Sequence, residues 1–120
     1  MIVYLLIGST ILLTVAGQLL VKSAALEFGE IPTVISQIIP FLFRAFRNLK
    51  LIAGLSCAVL ASITWMGAVS RSEISFAYPF MGLAIVLVLV LAPILFGETV
   101  PWTRWLGVLI VCLGLWIAAK

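Results

Sequence analysis

Four long apolar runs fill most of this chain of 120 residues and commit it to a lipid bilayer: Ile2 to Leu26, Leu51 to Val69, Ile74 to Phe96, and Trp102 to Ala119. A hydrocarbon core of about 30 Å needs about 20 helical residues per crossing, so four crossings fit and no length remains for a soluble domain. Helices are required, because backbone polar groups in lipid are satisfied only within helices or closed barrels. The runs also lack the strict alternation of barrel strands. The expectation is an all-α membrane protein, a single domain over 1–120, with four transmembrane helices at about 2–26, 51–69, 74–96 and 102–119.

The four acidic residues, Glu27, Glu30, Glu73 and Glu98, all fall at the edges of these runs, in a chain that is 65% hydrophobic and only 9% charged. A carboxylate at mid-membrane is the usual mark of proton or cation coupling, and this chain has none to offer there. It has no histidine, and Cys57 and Cys112 lie inside apolar runs, where a thiol acts as a small apolar group. No metal site, cofactor or disulfide is expected. With no acid/base pair and no nucleophile beside a base, the chain does not read as an enzyme. Ser23-Ala24-Ala25 imitates a signal-peptide cleavage site, but the run before it lacks a basic leader and carries Thr14, Gln18 and Lys22, so it reads as a span.

Between the first two spans, residues 31–48 form a different kind of segment. Ile31, Val34, Ile35, Ile38, Ile39, Leu42 and Phe46 recur at helical spacing, and Ser36, Gln37, Arg44 and Arg47 fall opposite. This predicts an amphipathic helix lying in the membrane interface, bent or broken at Pro40. It is either a connector resting on the bilayer or a basic lip that gathers an anionic lipid headgroup. Lys22, Arg44, Arg47, Lys50 and Arg104 fall with the first and third loops, against Arg71 and Lys120 on the other side. That bias predicts cytoplasmic first and third loops and argues against equal insertion in both directions.

On the first helix Thr10, Thr14, Gly17, Gln18, Val21 and Lys22 share one stripe, which should face protein or water. Lys22 either snorkels to the interface or holds an anion with Gln18, one turn away. Gly54, Ala58, Ala61, Ser62 and Trp65 form a small-residue face on the second helix, read as helix packing. Pro79 cannot donate to the carbonyl of Ser75, so the third helix should kink beside Tyr78, which serves either as an interfacial belt residue or as a ligand contact. Pro93 repeats the defect near the other end. On the fourth helix Trp102, Trp105 and Trp116 read as interfacial anchors, and Gly107, Val111, Gly114 and Ala118 as a packing seam, economically that of a dimer.

Val15-Ala16-Gly17-Gln18-Leu19-Leu20-Val21-Lys22, Ala77-Tyr78-Pro79 and Phe96-Gly97-Glu98 together resemble the small multidrug resistance family of the drug/metabolite transporter superfamily, across nearly the whole chain. Ala16-Gly17-Gln18 with Lys22, and Ala77-Tyr78-Pro79, are similar to the branch of undecaprenyl-phosphate aminoarabinose flippase subunits. The resemblance implies a multi-pass protein of the bacterial inner membrane that works as a homodimer or with a related subunit. Drug exporters of the family carry a membrane-embedded glutamate in the first helix, and the matching position here is Thr14. A hydroxyl neither releases a proton at physiological pH nor balances a buried cation.

The residues and the resemblance converge on an anionic ligand. Thr14, Gln18, Lys22 and Tyr78, with Arg44 and Arg47 nearby and no carboxylate at depth, attract phosphate and repel cations. The primary expectation is a flippase for a polyprenyl-phosphate-linked monosaccharide such as undecaprenyl-phosphate aminoarabinose, its prenyl tail staying in lipid. The membrane potential would drive a net negative head outward. The alternative is a proton-coupled exporter of cationic or guanidinium-like compounds, with Glu73 replacing the missing acid. A third reading is an accessory subunit of a larger membrane enzyme. No nucleic-acid partner is expected.

Overall fold

The computed structural model describes residues 1–120, all of the secondary structure being helical: α1 (Ile2–Phe28), α2 (Ile35–Ala45), α3 (Leu49–Val69), α4 (Ile74–Ala77), a 3-10 turn (Tyr78–Met81), α5 (Gly82–Phe96) and α6 (Trp102–Ala118). Three helical stretches are long and apolar enough to cross a membrane: Ile2–Phe28, Leu49–Val69 and the composite Ile74–Phe96. Helix α6 is apolar but has only 17 residues, a rise of about 25 Å at about 1.5 Å per residue.

Helix boundaries depart from the apolar runs where caps overrule hydropathy. Helix α1 runs two residues past Leu26 and stops where Gly29 takes a positive φ of 84°. Helix α3 begins at Leu49 because the Asn48 side-chain oxygen accepts from the backbone N–H groups of Lys50 (2.9 Å) and Leu51 (3.4 Å). The other end of that amide donates to Glu27 Oε2 at 2.6 Å, and Lys50 Nζ meets Glu27 Oε1 at 2.6 Å. One carboxylate thus clips the end of α1 to the start of α3.

The framework is the α1–α3 pair. Gly17 and Gly54 face each other at the crossing: a Cβ on Gly17 would lie 2.9 Å from the Gly54 carbonyl oxygen, and one on Gly54 would lie 2.8 Å from Val21 Cγ2. Only two glycines allow this backbone approach. Further along, the hydroxyls of buried Thr10 and Thr64 meet at 2.7 Å. Ile7, Ile11 and Val15 then join Ala68 and Ala77 in the main core, against which Trp65, Phe80 and residues of α5 pack. Of the small-residue face of α3, Gly54 and Ala61 are buried in this packing, whereas Ala58 and Ser62 are exposed.

The third long stretch is broken at Pro79, as the missing donor requires: α4 gives way to a 3-10 turn at Tyr78–Met81 before α5 resumes. Pro93 lies inside α5 without interrupting it, and so does Pro40 in α2. Helix α2 is shorter than the amphipathic segment read from sequence, because Val34 just before it is extended. It is also docked rather than loosely resting. Phe41 and Ala45 are buried against Ala24 and Leu51, and the Phe28 and Phe41 rings meet edge to face at 5.4 Å. Helix α6 packs chiefly on α5 and the 3-10 turn and buries no residue within the chain.

Candidate functional site

The stripe on α1 lies between two grooves. The first, about 460 Å³, is bounded by α1, α3 and the 3-10 turn. Gly17 and Gly54 lie along it, and Thr14, Gln18, Ser62 and Tyr78 supply its polar atoms. Ser62 Oγ donates to the carbonyl of Ala58 at 3.0 Å, leaving its lone pairs free to accept. Tyr78 reaches this groove from the 3-10 turn, its ring edge to face with Trp65 at 5.9 Å, while the residue stays 65% exposed. The groove is open to the surface, offers neutral donors and acceptors, and has no charged side chain in its lining.

The second groove, about 440 Å³, lies on the other flank of α1 and shares Thr14 and Gln18. Its far wall is α5, and Glu98, Val100 and Arg104 line it beyond the end of that helix. Gly97, at φ 66°, reverses the chain after α5, and Glu98 Oε1 then lies 3.6 Å from Lys22 Nζ. A third cavity of about 780 Å³ lies between the end of α1, docked α2 and the start of α3. Its lining is apolar except for Lys22, Gly29 and Glu30, and it shares Val21 and Leu55 with the first groove. The first groove, with its hydroxyl and amide groups, thus adjoins a larger, mostly apolar cavity.

Of the residues singled out in the sequence, Thr14, Gln18 and Tyr78 come together in the first groove. Lys22 lies one turn beyond it, in the third cavity, and its charge is matched by Glu98. The route is therefore not free of acid groups, because a carboxylate stands beside its only α1 cation. Arg44 and Arg47 line none of the three cavities; the Arg44 guanidinium lies 5.9 Å from the Phe41 ring centroid. Gly107, Gly114 and Ala118 share an exposed ridge of α6, and a Cβ on either glycine would meet nothing within 4 Å. Glu73 is exposed at the start of α4, away from all three cavities, so the geometry gives no support to a cation exporter built on it. Sequence reasoning missed Glu98 and Arg104 as groove residues. Gly97 was the available signal, since a helix-ending glycine turns the next side chain back toward the bundle.

Neither a protein-family model nor a solved structure matches the chain. Curated relatives do. A probable 4-amino-4-deoxy-L-arabinose-phosphoundecaprenol flippase subunit ArnE of Serratia proteamaculans (strain 568) is 37% identical over 112 residues, 93% of this chain and 90% of that protein. The ArnE subunit of Pectobacterium atrosepticum is 31% identical over 114 residues, 95% of each chain. A probable ArnF subunit of the same flippase from Aeromonas hydrophila is 32% identical over 114 residues, 92% of this chain and 75% of that one.

Proposed function

The chain belongs to the family of 4-amino-4-deoxy-L-arabinose-phosphoundecaprenol flippase subunits, and from that premise we propose that it carries a polyprenyl-phosphate-linked aminoarabinose across the bacterial inner membrane. The observation that carries this reading is the open groove of Thr14, Gln18, Ser62 and Tyr78, which shares Val21 and Leu55 with a mostly apolar chamber. The head crosses along hydroxyl and amide groups that replace its water, while the tail never leaves a hydrocarbon environment. The cytoplasmic mouth lies at the end of the bundle that holds Lys22, Lys50 and Glu98. Arg44 on α2 and Arg47 in the turn after it, both exposed, form the outer basic lip that draws the lipid in.

The named headgroup alters the energetics expected from sequence. It bears an amine as well as a phosphate, so its charges cancel when the amine is protonated. The membrane potential then does little net work on it, and direction is set by consumption of the lipid on the far side.

Helix α6 makes the fourth crossing, with Trp102 and Trp105 at one interface and Trp116 at the other, where Lys120 Nζ lies 3.9 Å from the Trp116 ring centroid. Its open ridge of Gly107, Gly114 and Ala118 meets a related subunit, since the relatives carry two subunit names. Cysteines introduced at Gly107 and Gly114, after Cys57→Ala and Cys112→Ala, should crosslink to the partner in native membrane. A chain that remains strictly monomeric there refutes the seam.

Transport in proteoliposomes with the partner subunit tests the route itself. Lys22→Ala is expected to slow flipping by about tenfold or more, and Tyr78→Phe by a few-fold, from the usual worth of charged and neutral hydrogen bonds. If both variants move the lipid at the unaltered rate, the headgroup takes another path.

A further inference from the structure

We propose that Lys22 and Glu98 form a dipolar receptor for a zwitterionic headgroup, Lys22 taking the phosphate and Glu98 the sugar amine, so that Glu98 selects amino sugars over neutral ones. This rests on the flippase reading and adds to it a group that recognises the sugar. The two ion pairs at this end of the bundle differ in kind. Lys50 and Glu27 meet at 2.6 Å and are held further by Asn48. Lys22 and Glu98 stand 3.6 Å apart, 48% and 42% exposed, and neither side chain makes a hydrogen bond elsewhere. The first is a clip; the second is loose, wet and open to exchange.

The second pair also stands beside residues of the proposed path. Glu98 lines the same groove as Thr14 and Gln18, and Lys22 follows Gln18 by one turn of α1. Arg104 lines that groove as well, and Glu98 is its one carboxylate. A head that carries both an amine and a phosphate can replace the Lys22–Glu98 contact with two contacts of its own, leaving no charge unpaired as water is displaced. A head that carries phosphate alone cannot. It takes Lys22 from Glu98 and sets a like charge beside that carboxylate, a penalty that falls on the neutral sugar and not on the amino sugar.

The test uses the chain assembled with its partner subunit and two lipids: the polyprenyl-phosphate 4-amino sugar and its N-acetylated form, which keeps the phosphate and removes the amine's charge. Bound lipid is read by native mass spectrometry from an equimolar mixture, and transport is measured separately in proteoliposomes. The unaltered protein should retain the amino lipid at least tenfold over the acetylated one. Glu98→Gln should bring that ratio close to one while holding the acetylated lipid no worse, and Lys22→Gln should weaken both lipids alike. A purely structural pair would lower both lipids together in Glu98→Gln and leave their ratio unchanged. That result, or an unaltered protein that does not discriminate, overturns the proposal. Discrimination at Glu98 without any transport overturns the flippase reading alone; transport with a ratio indifferent to Glu98→Gln overturns this proposal alone.

Discussion

Thr14→Glu is expected to stop movement of the phosphoglycolipid at neutral pH, while Thr14→Gln, similar in size and uncharged, stays within about threefold of the unaltered rate. Thr14 is half-buried and lines both grooves on α1, so a carboxylate there meets the headgroup whichever flank it follows. No cation lines the first groove, and Lys22 is two turns away. At an effective dielectric constant of about 20 and a separation of about 5 Å, the repulsion between carboxylate and phosphate is about 3 kcal/mol, or roughly two orders of magnitude in rate.

The same variant carries its own internal control. Burial and a neighbouring phosphate both disfavour the charged carboxyl. The protonated form is neutral and gains population as pH falls, so transport by Thr14→Glu should recover toward acid pH. Thr14→Gln should show no such recovery. Flipping by Thr14→Glu at the unaltered rate at neutral pH would mean that the head does not pass Thr14. A slow rate that ignores pH would assign the defect to packing rather than charge.

The parts of this architecture that local chemistry dictates are legible in the sequence. The apolar runs gave the long helices, and the missing donor of Pro79 gave the break that brings Tyr78 to the groove. Thr14 and Gln18 share a groove because they lie four residues apart on one helix. What escaped notice depends on partners distant along the chain. Nothing local to Lys22 announces Glu98, and their contact exists only because Gly97 reverses the chain beyond α5. Helix α2 misled for another reason: the apolar stripe read from sequence does not include Phe41 and Ala45, the residues that dock. The bundle holds Phe41 and Ala45, while Ile35 and Ile39 remain exposed and Arg44 and Arg47 stay outside the grooves. The seventeen residues of α6 sit at the lower limit of a span, so its crossing is fixed by bilayer thickness and partner as much as by sequence.

A single methyl group at Gly17 should cost more than any other change of that size on α1. In Gly17→Ala the new Cβ would lie 2.9 Å from the Gly54 carbonyl oxygen and 3.3 Å from Cys57 Cβ, and the nearer atom is backbone that no rotamer change can move. The two helices must separate or slide, at an expected cost of about 1–3 kcal/mol from overpacking. Gly17→Leu should prevent the crossing altogether, leaving chain that fails to assemble with its partner. The control lies on the same helix. A Cβ on Gly8 meets nothing within 4 Å, so Gly8→Ala exchanges a poor helix former for a good one and should be neutral or stabilising by up to about 1 kcal/mol. Denaturant titration in micelles, followed by tryptophan fluorescence and circular dichroism, measures both. Equal stabilities for Gly17→Ala and Gly8→Ala would mean that α1 and α3 do not approach at Gly17 and Gly54. Because Gly17 and Gly54 also lie along the first groove, any opening of this crossing widens the headgroup slot. Gly17→Ala should therefore slow flipping even in the fraction that stays folded, since Gln18 and Ser62, on opposite helices, could no longer engage one headgroup together.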